Sequence, residues 1–138
     1  MNIKVMFSSM SDEWRTPQSL FDKLDKEFNF DSDPCPMLEK PLKEGLYNMF
    51  MNRVFVNPPY SNIALWVKSC YDHHKFTNAL VVMLIPSRTD TKYWHDYVMK
   101  ADEIRFIKGR LKFSDSKNSA PFPSAIVVFR KGSNSSQH

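Results

Sequence analysis

The chain has 138 residues, 42% of them hydrophobic and 25% charged, with a formal net charge of +4. One domain of that size can bury a core, so a disordered chain and a two-domain protein are both excluded. Three glycines stand where average usage gives about ten, and Gly45, Gly109 and Gly132 lie too far apart to form a glycine-rich phosphate loop.

Residues 1–12 read as a loose lead-in. Thr16-Pro17 opens a helix, with Thr16 as N-cap and Pro17 in the first helical position. Leu20, Phe21, Leu24 and Phe28 share its apolar face, with Asp22, Lys23, Asp25 and Lys26 outside. A short strand over 28–33 ends at Pro34, and 34–52 reads as loop with a helical turn or two. Arg53–Val56 is a brief buried strand, stopped by Asn57-Pro58-Pro59-Tyr60. Ser61 or Asn62 caps a helix to about His74, with Leu65, Trp66, Cys70 and Tyr71 among its apolar positions. Ala79–Ile85 is a continuous apolar run, the mark of a central strand. A helix over Asp90–Lys100, a strand over Glu103–Ile107 and an irregular loop over 109–123 follow. Ala125–Arg130 is the last strand, and 132–138 is a polar tail expected to fray. Strands alternating with helices indicate one α/β domain over residues 1–131 with a mostly parallel sheet. Trp14, Trp66 and Trp94 are expected in its core, and Met49–Met51 fills a gap.

The charge is uneven: residues 1–84 carry −1 and residues 85–138 carry +5. A basic half on a small domain points mildly to a polyanion, against the plainer reading of a solvated surface. Two cysteines make no disulfide framework, and the longest apolar run, Ala79–Ile85, is far too short to span a bilayer. The first ten residues lack a basic stretch followed by an apolar one, so a soluble intracellular setting is expected. Cys70, His73 and His74 are metal-ligand types on one helix, but no second cluster completes four ligands. A partly buried Cys70, solvated histidines and no metal are the expectation.

Asn57-Pro58-Pro59-Tyr60 is the sharpest local feature. In open α/β sheets, ligands bind beyond the carboxyl ends of the strands, where this turn stands. Two prolines fix the backbone and lack N–H groups, so their carbonyls can be aimed at a ligand. Asn57 adds an acceptor oxygen and Tyr60 a stacking face. Such a cradle suits an exocyclic amine on a planar base. Accepting from both of its N–H groups favours a pyramidal nitrogen, whose lone pair can attack an electrophilic methyl carbon. No general base is needed before that attack, and positioning with a preformed polar cradle supplies most of the acceleration. The plainer alternative is a proline-rich turn that closes a strand.

Asn-Pro-Pro-Tyr resembles the catalytic motif of amino-methyltransferases that use S-adenosylmethionine. Further blocks resemble the phage-type (Dam-like) DNA N6-adenine methyltransferases, in that family's order and over about residues 7–130. They are Phe7-Ser8-Ser9, Asp12-Glu13-Trp14 with Thr16-Pro17, Asp33-Pro34-Cys35, Leu84 to Thr91, Gly109 to Phe113 and Ala120 to Ser124. The resemblance implies a reduced Rossmann-like methyltransferase fold, mostly parallel with an antiparallel last strand. It implies that Asn57, Pro58, Pro59 and Tyr60 form the catalytic turn that holds a flipped adenine. Thr16 and Pro17 would line the amino-acid end of S-adenosylmethionine, with Asp33 near its ammonium. Phe122, or alternatively Phe113, would be a second wall against the base. Arg88, Lys92, Arg110, Lys112 and Lys117 would contact DNA phosphates. The expected partner is DNA and the expected place is the cytoplasm of a bacterial or phage-infected cell.

Within the family, 36–52 is usually longer, with an acidic residue and a tryptophan near where Met49 and Phe50 stand here. Methylation of cytosine N4 is an enzymatic alternative. A DNA- or partner-binding module with a weakened cofactor site is the alternative from another class.

Overall fold

Three runs rich in Val, Ile and Leu build the centre of the molecule. In the computed structural model, which describes residues 15–35, 52–112 and 119–130, they are β1 (Arg53–Val56), β2 (Leu80–Pro86) and β4 (Ser124–Phe129). The fourth strand, β3 (Glu103–Phe106), is shorter and only half-buried. The helices are α1 (Gln18–Phe28), α2 (Ile63–Thr77) and α3 (Lys92–Asp96), with single 3₁₀ turns at Tyr60–Asn62 and Val98–Lys100.

The strand order is β1-β2-β4-β3. β1 and β2 pair in parallel, while β4 is antiparallel to both β2 and β3. This corrects the expectation of a mostly parallel sheet. β1, β2 and β3 do run in one direction. The last strand is inserted between β2 and β3, which replaces one parallel pairing by two antiparallel ones. The antiparallel direction of the last strand is as expected.

Both faces of the sheet are covered, which is why β2 and β4 are apolar without alternation. Val54, Val56, Val81, Met83 and Ile85 face Trp66, Val67, Cys70 and Trp94 from α2 and α3. Phe55, Leu80, Val82, Leu84 and Ile126 face Leu24 and Phe28 of α1, together with Ala120 and Phe122. Trp66 and Trp94 are core residues, while Trp14 and Met49–Met51 lie outside the described residues.

Several boundaries differ for identifiable reasons. Pro17, not Thr16, occupies the N-cap of α1, and the helix has no side-chain cap. The 28–33 strand is reduced to one parallel bridge, Ser32 to Val54. α1 runs through Phe28, and the Asp31 carboxylate takes the N–H groups of Asn52 and Arg53 at 3.2 and 3.1 Å. The expected 90–100 helix breaks at Tyr97 into α3 and a 3₁₀ turn that carries Val98 into the core. Glycine scarcity is met by asparagine: α1 and α2 end on left-handed Asn29 and Asn78, with φ of 55° and 62°.

His73 and His74 are buried, not solvated. His74 Nδ1 lies 2.8 Å from the Ala79 carbonyl oxygen and its ring packs against Phe129. Among the described residues, no group of three His, Cys, Asp or Glu side chains is arranged to hold a metal ion. Nor is any described helix long and apolar enough to cross a membrane. Cys35 and Cys70 are buried free thiols, and burial pushes Cys70 up to about 12. A thiol reagent at pH 8 should therefore leave both cysteines unlabelled in the native protein and react with both in denaturant. Rapid native labelling, read by mass spectrometry, would contradict that burial.

Candidate functional site

Strand direction gathers the site. β1 and β2 are parallel, and 31–33 runs beside β1 in the same sense, so Asp33, Cys35, Asn57 and Ser87-Arg88 all emerge at one end of the sheet. The Asp31 N–H donates to Arg53 O at 2.8 Å, and the Phe55 N–H donates to Ser32 O at 2.9 Å. Arg53 reaches back with its guanidinium to the carbonyls of Phe28 and Asn29. These contacts lock the approach to Asp33 against the strand that delivers Asn57.

Asn57 is held by its side chain. Its Nδ2 donates to Thr16 Oγ1 at 2.8 Å, a contact across 41 positions of sequence. Its backbone N–H slightly offsets the rise that burial imposes on the Cys35 thiol. Thr16 had been expected to cap α1; instead its hydroxyl serves the turn after β1.

Pro58 is buried and Pro59 is extended, with φ −64° and ψ 141°. The Pro59 carbonyl accepts from the Asn62 N–H at 3.2 Å and closes the 3₁₀ turn beginning at Tyr60. Pro59 therefore shapes the turn through its carbonyl, which leaves Asn57 and Pro58 as the better placed acceptors. The Tyr60 ring meets Phe122 edge-on, with centroids 5.3 Å apart at 72°. Phe122 is buried and carries the Arg88 guanidinium over its face at 5.9 Å. The loop bearing Phe122 is tied to the end of β2 by the Ser87 N–H donating to Pro123 O at 2.9 Å. Phe122 thus braces Tyr60.

Asp33 is half-buried, and burial raises its carboxyl to about 7. Among the described residues no cation offsets that rise. Burial also holds the Cys35 thiol well above its usual range, with Cys70 and Asp33 adding to the shift. α1 starts nearby with no side-chain cap and no acidic residue in its first turn, which leaves its N–H end suited to an anion.

The basic residues divide. Arg88, Arg110 and Lys112 are exposed in segments at the carboxyl ends of β2 and β3. Lys92 is exposed on α3 and pairs with Asp96 at 2.7 Å. Phe113 and Lys117 lie outside the described residues, as does the segment 36–51. Sequence reasoning assigned no part in the site to Cys35 or Asp31. The block Asp33-Pro34-Cys35 was the available signal for Cys35; Asp31 had none, because the backbone N–H groups it accepts from lie more than 20 residues away.

Comparison with known proteins matches residues 5–135 to the family model described as DNA N-6-adenine-methyltransferase (Dam). The chain is also similar to the DNA N-6-adenine-methyltransferase of Haemophilus phage HP1 (strain HP1c1). The two are 29% identical over 138 residues, covering 88% of this chain and 80% of the relative. No solved structure matches it.

Proposed function

The chain belongs to the DNA N-6-adenine-methyltransferase (Dam) family, and we propose that it transfers a methyl group from S-adenosylmethionine to N6 of adenine in DNA. The observation that carries this reading is the state of Asn57. It stands at the carboxyl end of β1 with its amide nitrogen engaged by Thr16, beside a Tyr60 ring braced by Phe122.

The donor set suits the cofactor. Asp33, neutral until about pH 7 in the free protein, offers a carboxylate to the amino-acid ammonium. The uncapped start of α1, just after Thr16 and Pro17, offers the backbone N–H groups of Gln18, Ser19 and Leu20 to the carboxylate. When bound, S-adenosylmethionine supplies an electrophilic methyl group on a sulfonium.

The chain's own residues prepare the nucleophile. A base inside a duplex cannot reach this turn, so the adenine is flipped out at a cost of a few kcal/mol. Stacking on Tyr60 returns about 1–3 kcal/mol of that. Asn57 Oδ1 and the Pro58 carbonyl accept from the N6 amine, which localises its lone pair for in-line attack, while Pro59 sets the turn. The extra proton on the methylated nitrogen leaves through these acceptors to solvent. Arg88, Arg110, Lys112 and Lys117 supply phosphate contacts, with Lys92 at the margin. Phe122, behind Tyr60, or Phe113 closes the pocket.

We read residues 1–131 as one reduced Rossmann-like methyltransferase domain. The shared direction of β1, β2 and β3, the inserted antiparallel β4 and the two covered faces support this. DNA in a bacterial or phage-infected cytoplasm is the corresponding substrate.

Wild-type protein incubated with methyl-labelled S-adenosylmethionine and unmethylated DNA should place label in N6-methyladenine after digestion to nucleosides. Label in N4-methylcytosine would move the target to cytosine. Absence of both label and cofactor binding would overturn the enzyme reading in favour of a binding module.

A further inference from the structure

Asn57 bears an amide whose two ends are nearly isosteric and opposite in polarity. Acceptance of the target amine needs the oxygen forward; a reversed amide would set donor against donor. The amide's orientation is therefore a chemical requirement that the catalytic turn alone does not meet, because the prolines beside it fix the backbone and not the Asn57 side chain.

One residue from outside the turn meets it. Thr16 Oγ1 lies 2.8 Å from Asn57 Nδ2 and accepts its hydrogen, so the donor limb is directed at Thr16 and the oxygen occupies the other limb of the planar fork. Thr16 belongs to the segment that leads into α1, so a stretch of chain remote in sequence sets this amide.

We propose that Thr16 is a positioning residue for methyl transfer: its hydroxyl holds the Asn57 amide with Oδ1 towards the adenine amine. This rests on the methyltransferase reading above, and it gives the Thr16 hydroxyl a duty separate from the backbone N–H groups that suit the cofactor carboxylate. Thr16 acts through Asn57 and touches neither reacting atom.

The two readings separate by experiment. Thr16→Val keeps the shape and removes the acceptor, so the methylation rate at saturating cofactor and DNA should fall about 100-fold, as expected for a misplaced catalytic group. Cofactor affinity by calorimetry should stay within about twofold, and Thr16→Ser should restore most of the rate. In an Asn57→Ala background, Thr16→Val should cost nothing further. Amide NMR gives a readout independent of turnover: the Asn57 side-chain NH₂ pair should shift in Thr16→Val and return in Thr16→Ser. Should Thr16→Val not fold, Thr16→Ala removes the same acceptor and should lower the rate with cofactor affinity retained. Lost cofactor affinity with an intact rate, an additive double mutant, or an unmoved NH₂ pair would each overturn the assignment. An inactive wild-type protein with a shifted NH₂ pair would instead overturn the methyltransferase reading and leave the Thr16–Asn57 hold standing.

Discussion

Asn57→Ala is expected to lower the rate of methyl transfer by about 10²–10³, the usual loss when one preorganised polar group leaves a reacting centre. On the proposed reading the mutation removes an acceptor for the adenine amine, and it leaves the backbone of the turn in place, since Pro58, Pro59 and the Pro59–Asn62 hydrogen bond are untouched. Cofactor affinity should be nearly unchanged, because Asp33 and the start of α1 do not depend on the Asn57 side chain. A fall in kcat without a matching rise in KM identifies an interaction used mainly in the transition state. Stability should drop by about 1 kcal/mol through loss of the Thr16 hydrogen bond. Single-turnover kinetics with labelled cofactor, alongside a denaturant titration, measures both. A variant that methylates DNA at the wild-type rate would remove Asn57 from the mechanism.

Asp33 carries the second large effect, and its sign depends on pH. Burial raises its carboxyl from 3.8 to about 7. The free protein at pH 6 therefore holds it mostly neutral, and a cationic ammonium needs it charged. Cofactor affinity should climb between pH 6 and pH 8, with binding at pH 6 about tenfold weaker than the limit because only about a tenth of the molecules are competent. Asp33→Asn should weaken binding by about 30-fold or more at pH 8 and flatten the pH profile.

The stability consequence runs the other way. Below about pH 4 the carboxyl is protonated in both folded and unfolded chains. From there to about 7 the folded chain keeps a proton that the unfolded chain has lost, so stability falls as pH rises, and the penalty is complete above 7. Asp33→Asn should thus melt higher than wild type at pH 8 and close to it at pH 4. A variant stabilised at pH 8 and unable to bind cofactor is the signature of a site held at a stability cost. Equal melting temperatures at pH 8, or full affinity in the variant, would refute the assignment.

The position of the Asn57–Tyr60 turn was legible because it is local: four consecutive residues directly follow a buried strand. β2 and the last strand were legible for a similar reason, each being an unbroken apolar run that only a doubly covered sheet explains. The ends of α1 and α3 were less so. Thr16 is a good N-cap by type, yet its hydroxyl is taken by Asn57, a residue 41 positions away. Tyr97 suits a helix by pattern, yet burial of Val98 tightens the chain there into a 3₁₀ turn. The 28–33 segment has strand composition, but Asp31 and Arg53 hold it by side chains and leave one bridge.

Composition, run length and the Asn57 to Tyr60 motif determined by themselves that this is a glycine-poor α/β chain with an acceptor-rich, proline-fixed turn directly after a buried strand. Those are properties of neighbours in sequence. Tertiary structure alone decided that β4 enters between β2 and β3, that Phe122 braces Tyr60, and that Thr16 holds Asn57. The physical reason is common to all three. Strand insertion, ring contacts and hydrogen bonds between distant segments depend on which chains the packed core brings together, and local sequence carries no record of that proximity.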